Sequence, residues 1–535
     1  MNSVLYSDRG SWTSIGSYIF DCCEKNSSSD CCVWLENGEK RSISYGQMLD
    51  AAKRVGSYLS AAVGKGGHVA LLGKKSVEWI ASYCGCLCYG VVVCPLDAAL
   101  PTEESAKQFC FSDSTVLLYD SACAGTAEQI KECRPETLCL PLRAGDGSFS
   151  VSSLIRGEYP ASQAPELKED DLAEILFTSG TTGFGKGVML SVGNICAAVM
   201  FGIRLVDCSS GETLLSILPN NHSFELVVGL LTPLYFGMSI ILCGSVKAVK
   251  DNFRAFGPSI MLMVPMLMQH FRKEILREAK RRGEAGKLEE TLLRARQFGH
   301  AGAEVRRESA KDILSYFGGN LKCIICGGAF LSEELVSFYD DLGIRFIEGY
   351  GITECAPIVS CNTDRFSCHL GVISPYCEVR IEEGEICVSG KNVMLGYYKN
   401  PEQTARAIKD GWFHTGDLGA LDERGCLILH GRKDNLIVNS NGENVSPEMI
   451  ENLLSTKEII AESVVYAEDD LLAASVFPNF RFAEANGISD VEKAVREAVE
   501  ETNKSLPHKL RVERVHIRKE PFEMTSTMKV KRGKQ

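Results

Sequence analysis

The tightest constraint on the fold is an alternation of strand, helix and strand inside one nearly uncharged stretch. His68 to Gly73 (HVALLG) reads as a strand, Ser76 to Cys88 as a helix, and Gly90 to Cys94 as a second strand. This βαβ alternation predicts an α/β architecture with a parallel, doubly wound sheet. Just upstream, Ser44-Tyr45-Gly46-Gln47 has the form of a capping box. Met48, Ala52, Val55 and Leu59 then recur along one helical face. A chain of 535 residues is too long for a single core, so two or more domains are expected.

Two uncharged runs, Trp79 to Leu96 and Leu226 to Val246, have the length of a membrane span. Gly85, Gly90 and Pro95 interrupt the first, and Gly229, Pro233 and Gly237 the second, so each is expected to be a buried helix followed by a strand. The N-terminus, MNSVLYSDRGSWTS, lacks the basic start and apolar core of a signal peptide. With 57 basic and 69 acidic residues the net charge is −12, which argues against a broad nucleic-acid surface. From His508 onward the balance turns basic, and that end could face an anion. The 23 cysteines are odd in number and include the adjacent pairs Cys22-Cys23 and Cys31-Cys32, which suits a reducing cytoplasm rather than a disulfide scaffold. Cys323-Ile-Ile-Cys326 has no second pair at metal spacing and reads as part of a buried strand. Residues 271–312 are densely charged and are expected to be solvated helices without chemistry.

The chemistry concentrates in Ile175 to Ser191, ILFTSGTTGFGKGVMLS, placed between an apolar strand and a helix start. Gly180, Gly183, Gly185 and Gly187 let backbone N–H groups turn toward one point, and Thr178, Ser179, Thr181 and Thr182 add hydroxyl donors. With Lys186 this is a cradle for a polyphosphate. Gly180 to Lys186 also has the glycine and lysine spacing of a P-loop, but Gly187 stands where that motif needs Ser or Thr for magnesium. Residues 140–170 form a connector ahead of this loop.

The whole stretch resembles the signature loop of the adenylate-forming acyl-CoA synthetase superfamily, threonine-serine-glycine-threonine-threonine-glycine-x-proline-lysine-glycine, with Gly185 in place of the proline. The resemblance continues through LPNNHSFE (Leu218 to Glu225), which is similar to a segment of long-chain fatty acyl-CoA synthetases. It also takes in Gly-Gly-Ala at the end of the strand Leu321 to Phe330, and FIEGYGITE from Phe346 to Glu354. From Val372 short alternating segments predict a small antiparallel β-rich subdomain that holds GWFHTGDLG (Gly411 to Gly419). TSTMKVKR (Thr525 to Arg532) resembles the terminal lysine motif, with Met528 in place of a glycine.

The resemblance implies a role for each of these. Gly327, Gly328 and Ala329 hold the adenine, and Tyr350, followed by Gly351, stacks on it. Thr353 meets the α-phosphate, and Glu354 with Thr178 holds Mg2+. His222 sits near the reacting carboxylate, Asp417 binds the ribose hydroxyls, and Arg432 contacts ribose and phosphate. Lys529 is catalytic for adenylation, and Gly442 borders the thiol tunnel. The implied organisation is a large domain over residues 1–431, a hinge over 432–436 around Asp434, and a small mobile α+β domain over 437–535. The implied activity uses ATP, Mg2+ and CoA to convert a medium- or long-chain fatty acid to its thioester through an acyl-adenylate. A carrier-protein phosphopantetheine as the acceptor and a nucleotide- or acyl-binding protein without turnover remain as alternatives. Peripheral membrane contact is open.

Overall fold

The computed structural model describes residues 9–178, 185–297, 302–328, 331–362, 370–438, 444–469 and 471–523. Two large sheets carry the first part of the chain. In the seven-stranded sheet, strands Leu138–Pro141, Val116–Tyr119, His68–Leu72, Val92–Leu96 and Leu172–Thr178 run parallel in that spatial order. The antiparallel strands Lys186–Ser191 and Gly396–Tyr397 complete it. The nine-stranded sheet has a parallel centre that includes Ile260–Met263, Cys323–Gly327 and Arg345–Gly351, and antiparallel strands at both edges. The doubly wound α/β expectation therefore holds, with two sheets.

Helix Val77–Tyr89 is buried along all 13 residues, which explains its lack of a polar face. Gly85 does not interrupt it, contrary to the sequence reading. A Cβ there would lie 2.7 Å from the Ala52 carbonyl oxygen, and one on Gly56 would lie 2.6 Å from that of Gly85. The glycine pair lets helices Tyr45–Val63 and Val77–Tyr89 cross backbone to backbone. Gly90 ends the second helix in the left-handed region, at φ +67°. The first of these helices opens on the expected capping box, Ser44 with Gln47. Among the described residues no helix is long and apolar enough to cross a membrane.

A five-stranded antiparallel sheet follows, built on Cys377–Glu382, Glu385–Gly390, Trp412–Leu421 and Leu427–Arg432 with the short strand Ile408–Lys409. The last part has its own core around Ile450, Leu454, Val465, Val476 and Val499, under a three-stranded sheet. It docks on helix Pro265–Arg281, where Gln269 donates to the Ser455 carbonyl (2.9 Å) and Lys273 to that of Ile460 (3.1 Å). Residues 271–312 are therefore not all solvated. Burial pushes the Lys273 ammonium down to about 8, and Arg306 is buried against Asp340. Every described cysteine is a free thiol, and Cys323 and Cys326 lie buried in one strand as expected.

Candidate active site

Strands Leu172–Thr178 and Lys186–Ser191 form a hairpin in which Thr178 pairs with Lys186. The glycine-threonine stretch thus connects two antiparallel strands, and a six-residue strand separates it from helix Val192–Leu205. The sequence had suggested a loop leading straight to a helix, which is also the P-loop topology. The alternating Val188 and Leu190, both buried, carry the strand signal that the following helix pattern masked. Ser179, Gly180, Thr181, Thr182 and Gly183 lie outside the described residues. At the strand end, a Cβ on Gly185 would stand 2.3 Å from the Thr178 carbonyl oxygen, so the close approach of the chain requires glycine there.

Thr178 and Lys186 open onto a cavity of about 430 Å³ that also touches His222, Thr353 and Glu354. The Lys186 ammonium lies 4.9 Å from the centre of the Tyr397 ring, and the Tyr397 hydroxyl donates to Glu354 Oε1 at 2.9 Å. Burial, and then the Glu354 charge, hold that phenol far above its ordinary pKa, so it stays a donor. Tyr397 was not legible as a site residue. It sits on a two-residue strand that joins Val188 of the hairpin only through sheet pairing.

The second wall is bare backbone. Gly327 pairs with Gly349 across neighbouring parallel strands, and Gly327, Gly328 and Gly351 all line the cavity. A Cβ on Gly351 would fall 1.6 Å from the Pro357 carbonyl oxygen, which no side chain can occupy. Ala329 lies outside the described residues. Tyr350 lines the cavity, and its hydroxyl donates to Asp417 Oδ2 at 2.7 Å. Arg432 Nη1 stands 3.3 Å from Asp417 Oδ1, because strands Trp412–Leu421 and Leu427–Arg432 pair these two residues directly. Asp417 is 4% exposed and is not itself among the lining residues; it meets the cavity through Tyr350 and Arg432. Lys529 and Gly442 lie outside the described residues, and Asp434 of the expected hinge lines the cavity beside Arg432.

Away from this polar mouth the wall is apolar, with Leu214, Val228, Phe236, Met238 and Ile325 among its residues. They come from two strands, two short helices and a turn. The loop that carries His222 is fixed from below by a group the sequence did not reveal. Lys75 donates to Glu225 Oε1 (2.5 Å), to the Leu218 carbonyl (3.1 Å) and to the Ser216 hydroxyl. Both side chains are buried, at 7% and 2% exposure, and Glu225 Oε2 has no partner. Lys75 follows a strand 150 positions upstream of Glu225, beyond the reach of any local pattern.

The chain matches the model of the AMP-binding enzyme family over residues 20–398 and that of the AMP-binding enzyme C-terminal domain over 434–535. Long-chain-fatty-acid–CoA ligase 6 of Mus musculus is 29% identical over 478 residues, which cover 81% of this chain and 68% of that one. Long-chain-fatty-acid–CoA ligase 1 of Homo sapiens is 28% identical over 498 residues, with 82% and 69% covered. The A domain of a carboxylic acid reductase from Segniliparus rugosus, solved with AMP and a co-purified carboxylic acid, superposes with a TM-score of 0.80. It shares 18% identity and covers 99% of this chain and 94% of that one, a likeness that shows the fold. The chain belongs to the AMP-binding enzyme family, the superfamily of adenylate-forming acyl-CoA synthetases. Within that class it is an AMP-forming acid–thiol ligase.

Proposed function

We propose that the enzyme activates a medium- or long-chain fatty acid with ATP to an acyl-adenylate, and then passes the acyl group to the thiol of CoA with release of AMP. One observation carries this reading: a single cavity joins a polar mouth, built from Thr178, Lys186, Thr353 and Glu354, to an apolar wall long enough to involve Leu214, Val228 and Met238. The ligase names of the two curated relatives point the same way.

In the first step a carboxylate oxygen attacks the α-phosphorus and pyrophosphate leaves. Both reactants are anions, so the residues of the mouth must offset charge. We assign Lys186 and Arg432 to phosphate and ribose, Thr353 to the α-phosphate and His222 to the acid's carboxylate. The glycine wall of Gly327, Gly328 and Gly351 would receive the flat adenine, with Asp417 orienting Tyr350 and Arg432 around the nucleoside. The hydroxyl of Thr178 and the carboxylate of Glu354 are hard oxygen donors on one cavity, which fits magnesium. When bound there, the ion would neutralise charge on the phosphate oxygens. Tyr397 would hold Glu354 in place.

Lys529 is assigned to the adenylation step and Gly442 to the thiol path. The hinge at 432–436 would let the part from 437 onward leave its seat on helix Pro265–Arg281 between the two half-reactions. A cytoplasmic setting suits the buried free thiols.

The test is acid-dependent pyrophosphate release across a panel of carboxylic acids graded in length and aromaticity, with and without CoA. Turnover that requires an aliphatic acid and CoA is expected. Release with no CoA requirement would favour a carrier-protein acceptor, and no release at all would favour a binding protein without turnover.

A further inference from the structure

The outer face of the five-stranded sheet carries an arrangement that the nucleotide site does not use. Strand pairing places Arg380 opposite Cys387 and Cys387 opposite His414, one line across three strands. Glu382 lies two residues from Arg380 and Glu385 two from Cys387, so strand alternation directs them to the same side. The intervening residues Ile386, Val388 and Phe413 point the other way, into the main core.

On that face, ligand atoms of Glu382, Cys387 and His414 all lie within 4.8 Å of one another. Cys387 Sγ and His414 Nδ1 are 3.5 Å apart. Two ligands at zinc–sulfur and zinc–nitrogen bond lengths of about 2.3 and 2.05 Å, at a tetrahedral angle, stand about 3.6 Å apart, so these two atoms already have the required separation. Glu385 Oε2 is 3.6 Å from the same nitrogen. None of these four residues lines the nucleotide cavity.

The charges point the same way. Two carboxylates stand beside a buried thiol, Glu382 within the cluster and Glu385 two residues along the strand. Two side-chain cations now compensate the carboxylates from the rim. Arg380 pairs with Glu382 at 2.7 Å while lying over the Trp412 ring, and Lys433 pairs with Glu385 at 3.2 Å. Arg380 is 43% and Lys433 56% exposed, so both can swing into solvent at little cost.

We propose that Glu382, Cys387 and His414 form a binding site for a thiophilic divalent cation of the zinc class. On binding, the S–H bond breaks, a metal–sulfur bond forms and the proton leaves to solvent, while the imidazole contributes its nitrogen lone pair and Glu382 exchanges Arg380 for the ion. Glu382 is half-exposed and marks the route of entry, with Cys387 at the closed end.

The whole chain, stripped with a chelator and titrated with Co2+, tests this. Expected is one equivalent of tightly bound Co2+ with tetrahedral visible bands and a thiolate-to-cobalt absorption, bleached by stoichiometric Zn2+. Cys387→Ser should remove the thiolate absorption, and the half-exposed Glu382→Gln, which leaves the buried packing untouched, should weaken binding by at least roughly tenfold. Cys323→Ser, altering a buried thiol in another sheet, should change neither. Absence of stoichiometric binding, or a thiolate band that survives Cys387→Ser, would overturn the proposal. So would a Co2+ affinity unchanged in Glu382→Gln.

Discussion

The mouth and the apolar wall of the cavity follow different rules. Around the mouth, side chains are held by directional partners: Tyr397 by Glu354, Tyr350 by Asp417, and Arg432 by the same Asp417. The wall holds Leu214, Val228, Phe236 and Met238 by contact alone, and many apolar side chains of similar volume would serve. A mouth residue is thus defined by its chemistry and a wall residue by its size. Lys75 and Glu225 break the pattern, since they place an ion pair beneath the junction of the two.

The largest effect should come from that exception. Lys75→Met leaves the Glu225 carboxylate buried and uncompensated, and should cost about 3–5 kcal/mol in stability, read by denaturant unfolding. Adding Glu225→Leu should recover most of the loss, and a second mutation that deepened it would refute the pairing argument. At the mouth, Glu354→Gln should lower the rate of pyrophosphate release by roughly 10²–10³-fold, about 3–4 kcal/mol, while the melting temperature stays close to that of the parent.

Beneath the mouth, Glu174 sits on the strand that ends at Thr178, fully buried, with Tyr83 donating to Oε2 at 2.9 Å and Oε1 unpartnered. Burial raises its carboxyl from 4.5 to about 7. Between those values the folded chain holds a proton that the unfolded chain has released, so stability falls as pH rises from about 4.5 to 7 and levels off above. The span corresponds to roughly 3 kcal/mol. Glu174→Gln should reduce the fall in stability over this window, and unfolding free energies measured at pH 5 and pH 8 would check it. The smallest effect belongs to the wall. Val228→Phe should shift kcat/KM toward shorter acids by about 1–3 kcal/mol, with adenylation of a short acid nearly unchanged. A Val228→Phe enzyme equally slow on every acid would place Val228 with the mouth instead.

Local pattern carried a large part of this molecule. The βαβ alternation around Val77–Tyr89, the Ser44 capping box and the antiparallel subdomain were legible because each rests on periodicity or turn chemistry within about twenty residues. Asp417 and Arg432 were read singly, and their direct pairing across two strands was not. The pairing of Thr178 with Lys186 is hidden in the sequence because the six residues of strand Lys186–Ser191 run straight into an apolar helix.

The sequence alone marked the hydroxyls, glycines and fixed charges that we propose for phosphate, ribose and carboxylate, because they stand in short motifs that resemble those of the family. It also determined that the chain would form parallel sheets. Only the tertiary structure decided that Tyr397 would reach Glu354, that Lys75 would lie under Glu225, and that Glu382, Cys387 and His414 would share one face. These juxtapositions depend on sheet register and helix crossings between segments far apart in the chain. Hydrophobic burial sets those contacts, and it is blind to the order in which the segments were written.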